Sequence, residues 1–282
     1  MSELYLVGLG PGNRENMTGA ALSALEKADV LCGYTVYVDL VRDWFPDKET
    51  YTTPMTREME RCRWAVSTAA SGRSVAMLCS GDAGIYGMAG PVMELAADDP
   101  RVEIIPVPGI TAAVSGAAIL GAPLMNDFAV ISLSDRLTPP ELIRKRLHGA
   151  GMGDFVVCLY NPASRQRRTA LRDACDILLQ YRAGDTLCGW VRNIGRNGQE
   201  KELLTLDSLR EAQLDMFTTV YIGTETTERA GEWMVTQRGY DDHITDDLYC
   251  EKLVEQYLNN DDPEKHDTIS LEDLARREGI IL

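Results

Sequence analysis

With 282 residues, the chain is long enough for two units of roughly 100–200 residues each. Hydrophobic residues make up 45% of it, enough for sizeable cores, yet no apolar run reaches the roughly 18 residues of a membrane span. The net charge of −15 argues against nucleic acid as a partner.

That charge is unevenly spread. Residues 241–282 hold 13 acidic and 4 basic side chains and carry −9, so the body is only mildly acidic and its arginine clusters can still hold an anion. Met1-Ser2-Glu3 leads straight into a strand-like run without the basic region of a signal peptide. The seven cysteines (Cys32, Cys62, Cys79, Cys158, Cys175, Cys188 and Cys250) include no CxxC pair. We read a cytoplasmic protein with reduced, mostly buried thiols and no metal site.

Leu4-Tyr5-Leu6-Val7-Gly8 is short and apolar with a glycine stop, the pattern of a buried first strand. Residues 18–28 follow as a helix, with Ala21, Leu22, Leu25 and Ala28 at helical spacing and Thr18 as cap. Then come a strand at 30–32, a helix at 57–71, a strand at 74–79, a helix at 85–97 and a strand at 102–107. This alternation predicts a mostly parallel sheet flanked by helices.

The pattern breaks near Gly121-Ala122-Pro123 and restarts. Strands are expected at 128–133, 154–160 and 186–192, helices at 140–148 and 166–181, and a last strand at 218–222. The expected architecture is therefore two α/β domains, residues 1–120 and 121–240, with a ligand cleft between them. Residues 241–282 form an acidic helical extension, either a solvated arm or a dimer-stabilising one.

Three loops carry the candidate chemistry. Gly8-Leu9-Gly10-Pro11-Gly12 follows the first strand, but Pro11 and the late helix start depart from a dinucleotide fingerprint. Ser80-Gly81-Asp82-Ala83-Gly84-Ile85-Tyr86-Gly87 lies at another strand's C-terminal end, where open α/β sheets bind ligands. There Asp82 either accepts from a ligand amine or caps a helix. In Pro108-Gly109-Ile110-Thr111-Ala112-Ala113, Thr111 either bonds a ligand or caps a helix. In a parallel sheet all three converge on one rim.

Together these loops resemble the tetrapyrrole methylase family. Gly8 to Gly12 with Met17-Thr18, Gly81-Asp82 through Tyr86-Gly87, and Pro108 to Ala112 match that family's motifs in order. Gly33-Tyr34 with Tyr37, Met55-Thr56-Arg57-Glu58, Ser132-Leu133-Ser134-Asp135, Tyr160-Asn161-Pro162, Arg192-Asn193 and Arg238-Gly239-Tyr240 resemble its branch that methylates precorrin-3B or cobalt-factor III at C-17. The likeness covers about residues 3–240; Pro140 and Gln237 depart from it.

The resemblance implies S-adenosylmethionine as methyl donor, S-adenosylhomocysteine as product, and methylation coupled to ring contraction in a homodimeric enzyme. It places the donor against Gly81, Asp82, Ile85, Tyr86, Thr111 and Ala112, with Tyr160, Arg192 and Thr219 from the second half. It turns Gly10, Pro11 and Gly12 towards the macrocycle. Arg57, Arg136 and Arg165 are candidates for its carboxylates, with surface arginines as the alternative. Thr56 and Asp135 are candidates to polarise the macrocycle or assist proton shifts. His148, His243 and His266 lie outside the motifs, so no histidine base is expected. A same-fold methylase for another precorrin carbon or a non-tetrapyrrole target remains an alternative, as does a non-catalytic tetrapyrrole-binding protein.

Overall fold

The computed structural model describes residues 1–163 and 169–239. The expected start of the helix at residue 166, Arg165 and the acidic extension lie outside the described residues.

The first half consists of β1 (Ser2–Gly8), α1 (Gly19–Lys27), β2 (Val30–Tyr34), α2 (Thr35–Asp39), β3 (Glu49–Thr53), α3 (Glu58–Ala70), β4 (Val75–Cys79), α4 (Ala89–Ala96) and β5 (Val102–Val107). Its five strands form one wholly parallel sheet in the order β3-β2-β4-β1-β5. Strand periodicity sorts the core. Leu4 and Leu6 of β1, with Val75 and Met77 of β4, pack on Cys62, Ala65 and Val92 of α3 and α4. The intervening Tyr5, Val7, Ala76 and Leu78 pack on Ala21, Ala24 and Leu25 of α1. Both faces are covered, as parallel sheets require. Pro106, which has no N–H to donate, sits on the edge strand β5.

The chain continues through α5 (Ala112–Leu120), β6 (Gly121–Ala122), β7 (Phe128–Ser132), α6 (Pro140–Met152), β8 (Val156–Tyr160), α7 (Ala170–Leu178), β9 (Leu187–Arg192), β10 (Glu200–Thr205), α8 (Leu206–Glu211), β11 (Thr218–Ile222), β12 (Thr227–Ala230) and β13 (Trp233–Thr236). The second sheet runs β10-β9-β11-β8-β7, and only β7 and β8 pair in parallel. The expectation of a mostly parallel sheet therefore holds for the first half and fails for the second. A short turn, 193–199, joins β9 to β10, so they pair as a hairpin without a crossover helix.

Val157, Leu159, Cys188, Val220 and Ile222 face a core shared with α6, α7 and α8. Cys158, Val191 and Tyr221 face Ala113, Ala117 and Leu120 of α5. Gly116 of α5 makes this contact possible, because a Cβ there would overlap the Tyr221 hydroxyl.

Residues 218–222 are not the last strand. The β12–β13 hairpin follows, and β13 pairs with β6 in a small three-stranded sheet. The helix expected from residue 85 begins only at Ala89. Tyr86 has a left-handed φ of 53°, and the Ala89 N–H donates to Ala83 O at 3.0 Å, so residues 82–88 form a compact turn. Residues 1–237 make one compact unit. Among the described residues, no helix is long and apolar enough to cross a membrane, and no His, Cys, Asp and Glu cluster is arranged to hold a metal ion.

Candidate active site

The three loops at the C-terminal ends of β1, β4 and β5 meet through main chain. Gly10 and Gly81 exchange both backbone hydrogen bonds, at 2.9 and 3.0 Å. A Cβ at Gly8 would lie 2.6 Å from Gly109 N and 2.7 Å from Gly81 O, so only glycine permits this approach. Asp82 ties the loops further: Oδ1 accepts from Gly84 N–H at 2.8 Å and Oδ2 from Gly109 N–H at 3.0 Å. It caps no helix, since α4 starts seven residues later. Thr18 does cap α1, accepting from Ala21 N–H at 3.1 Å, and its hydroxyl also donates to Pro108 O at 3.1 Å.

Side chains from the second half complete the site. The Tyr160 hydroxyl lies 2.5 Å from Thr111 Oγ1 and accepts from Ala113 N–H at 2.6 Å, so a phenol serves the first turn of α5. Tyr221 donates to Ala112 O at 2.6 Å. Burial raises the pKa of both phenols, keeping them protonated. Tyr86 reaches the opposite way. Its hydroxyl donates to Val130 O at 2.9 Å and accepts from Ser132 N–H at 3.1 Å, and its ring meets that of Tyr160 edge-on at 5.7 Å.

Between these walls lies a cavity of about 230 Å³. Gly81, Ile85, Tyr86, Thr111, Ala112, Tyr160 and Thr219 line it, as do Gly10 and Pro11. Several other candidates do not. Asp82 lies behind the lining, bonded to backbone. Arg192 pairs with Glu200 at 3.0 Å and Asp215 at 3.4 Å, over the Trp190 ring. Arg57 pairs with Glu60 at 2.7 Å on the surface. Asp135 and Arg136 are exposed and outside the lining, and Gly12 packs beside Arg196. Thr56 has φ 78° and is also outside the lining, although its neighbour Met55 is part of it.

The structure adds residues the sequence reading did not single out as site residues: Tyr34, Tyr37, Asn193, Arg196, Met216 and Phe217. A legible signal existed for Arg196. Asn193-Ile194-Gly195-Arg196-Asn197-Gly198 is dense in turn formers directly after a strand. Met216 and Phe217 stand in a short polar-flanked connection with no pattern to mark them.

Residues 3–210 match the sequence model of the Tetrapyrrole (Corrin/Porphyrin) Methylases. The chain belongs to this family. It is 45% identical over 238 residues to a probable cobalt-factor III C(17)-methyltransferase of Salmonella typhimurium, covering 84% of this chain and 99% of the relative. It is 36% identical over 236 residues to a precorrin-3B C(17)-methyltransferase of a Sinorhizobium species, covering 81% of this chain and 92% of the relative. Among solved structures, the methyltransferase CobJ superposes with a TM-score of 0.78 at 34% identity, covering 84% of this chain and all of that one. Gly10 and Pro11 of the Gly8–Gly12 loop form part of the cavity wall.

Proposed function

We propose that this methylase transfers the methyl group of S-adenosylmethionine to C-17 of cobalt-factor III or precorrin-3B, with ring contraction as the linked step. One observation carries the reading: three strand-end loops, locked together by glycine backbone, face Tyr160 and Thr219 across one cavity. The lining fits a nucleoside-bearing ligand. Gly81 adds no side chain to the wall, while Ile85, Ile110, Met216 and Phe217 supply apolar contact. Asp82 belongs to this assignment as a loop tie, and Arg192 only as a neighbour of Thr218 and Thr219.

S-adenosylmethionine supplies a methyl group on a sulfonium, already a strong electrophile. The chain's own task is to hold the macrocycle carbon in line with it and to exclude water, and such positioning alone can supply several powers of ten in rate. The Tyr160 and Tyr86 hydroxyls are engaged with backbone, which suits holding the walls in place. Thr56 and Asp135, on loops outside the lining, are proposed to act on the macrocycle where it extends beyond the cavity, with Arg57 and Arg136 as surface contacts for its carboxylates; Arg165, outside the described residues, is proposed for the same role. The same reading makes the enzyme a cytoplasmic homodimer, which sedimentation and fractionation test.

The deciding experiment is anaerobic incubation with S-adenosylmethionine and either cobalt-factor III or precorrin-3B. The expected products are S-adenosylhomocysteine and a macrocycle carrying one added methyl group, with the spectrum of a contracted ring. Absence of methylation on both substrates, with methylation of another precorrin, would move the activity to a different carbon.

A further inference from the structure

The cavity has an electrostatic peculiarity. In a chain of net charge −15, the one charged side chain among the described lining residues is a cation, Arg196. It pairs with no carboxylate among the described residues, whereas Arg57 and Arg192 nearby both do. Its contacts are neutral oxygens. Nε donates to Pro11 O at 3.0 Å and Nη2 to Ser80 Oγ at 2.8 Å. A guanidinium has five N–H donors, so three remain.

The loop that presents it is built. Asn193, Gly195 and Gly198 take left-handed φ of 51°, 66° and 75°. Arg196 N–H donates to Asn193 O at 2.9 Å, Gly195 N–H to the Gln199 side chain at 2.8 Å, and Asn193 Nδ2 to Gly198 O at 3.2 Å. Gly12 leaves the space, since a Cβ there would lie 3.0 Å from Arg196 Nε. Burial lowers the pKa of this arginine, yet a guanidinium starts so high that it stays charged. A half-buried cation fixed in a ligand cavity, without a counterion among the described residues, is a site for an anion, and the planar fork matches a carboxylate.

The geometry points to Arg196 as the carboxylate anchor of the cleft. This assignment rests on the methyltransferase reading above, in which two ligands bring carboxylates: the amino-acid end of the methyl donor and the periphery of the macrocycle.

The test compares wild type with Arg196→Met and Arg196→Lys. S-adenosylhomocysteine and the carboxylate-free 5′-methylthioadenosine are titrated by calorimetry, and cobalt-factor III is titrated anaerobically by absorbance. Arg196→Met is expected to weaken the anchored ligand by about 10- to 100-fold. Lysine should restore part of the loss, and 5′-methylthioadenosine should bind unchanged. Loss confined to S-adenosylhomocysteine assigns the donor's carboxylate, and loss confined to cobalt-factor III assigns the macrocycle's. Equal weakening of all three probes would make Arg196 a structural latch and overturn the assignment, as would unchanged affinity for both carboxylate-bearing ligands. A wild type that binds neither would overturn the methyltransferase reading and this one with it. If Arg196→Met melts early, Arg196→Gln provides the same comparison with a polar side chain of similar reach.

Discussion

The Tyr160 hydroxyl accepts the N–H of Ala113 at 2.6 Å, so the last residue of β8 caps the helix that leads away from the Pro108–Ala112 loop. Replacing it with phenylalanine leaves that buried N–H and Thr111 Oγ1 without this partner. An unsatisfied buried donor costs about 1–3 kcal/mol. Urea unfolding of Tyr160→Phe should show a loss in that range, and its affinity for S-adenosylhomocysteine should fall. Stability within experimental error of wild type would sink the capping role.

Gly81 has φ 68°, and a Cβ there would meet Thr111 Cα at an ordinary 3.5 Å. Alanine therefore fits in space but pays for the left-handed backbone, about 1–2 kcal/mol. Gly81→Ala should fold, with its denaturation midpoint lowered accordingly. Gly81→Arg adds a long side chain in the cavity and should abolish calorimetric heat with S-adenosylhomocysteine. Undiminished methylation by Gly81→Arg would remove this loop from the donor site.

Gly116 lies against the Tyr221 hydroxyl, which itself donates to Ala112 O. Gly116→Ala overpacks this contact and should destabilise by about 1–3 kcal/mol. Because alanine collides chiefly with the phenol oxygen, adding Tyr221→Phe should recover part of that loss. Simple additivity in the double-mutant cycle would refute the contact.

The architecture was legible where local pattern and tertiary environment agree. Leu4 to Val7 are apolar throughout because β1 is central and covered on both faces. The hairpin of β9 and β10 was not legible. Glu200-Lys201-Glu202 reads as surface, since its charged residues lie on an edge strand. The Thr-rich β3 at the far edge of the first sheet escaped for the same reason. At the site, glycines announced the loops, because close backbone approach demands that residue. The turn around Arg196 was legible, but its role was not: that it pairs with no carboxylate among the described residues is visible only once neighbours 116 and 185 residues away in sequence are in place.

Acid should loosen the junction between α1 and β4. Asp29 accepts from the Ser74 backbone N–H and hydroxyl, both at 2.8 Å, and these bonds hold its carboxyl below the usual range. With the folded pKa depressed, the unfolded chain binds more protons in the window between the two values, so stability rises with pH there. The contribution is complete above the ordinary aspartate value of about 3.9 and disappears as pH falls through the folded value. Asp29→Asn should flatten this part of the profile in guanidinium titrations between about pH 2 and 5. An unchanged acid slope would contradict it.

The glycine junction of Gly8, Gly81 and Gly109 has a further consequence for how such an enzyme diversifies. Main chain here offers no side chains for mutation to explore: an added Cβ collides with backbone at Gly8 and Gly109, and at Gly81 it must adopt a left-handed φ of 68°. The facing wall is the opposite: Asn193, Arg196, Met216 and Phe217 are side chains on connecting loops. Changing what the cavity accepts then becomes a matter of grafting residues 193–198 and 212–217 while the glycine junction is inherited intact.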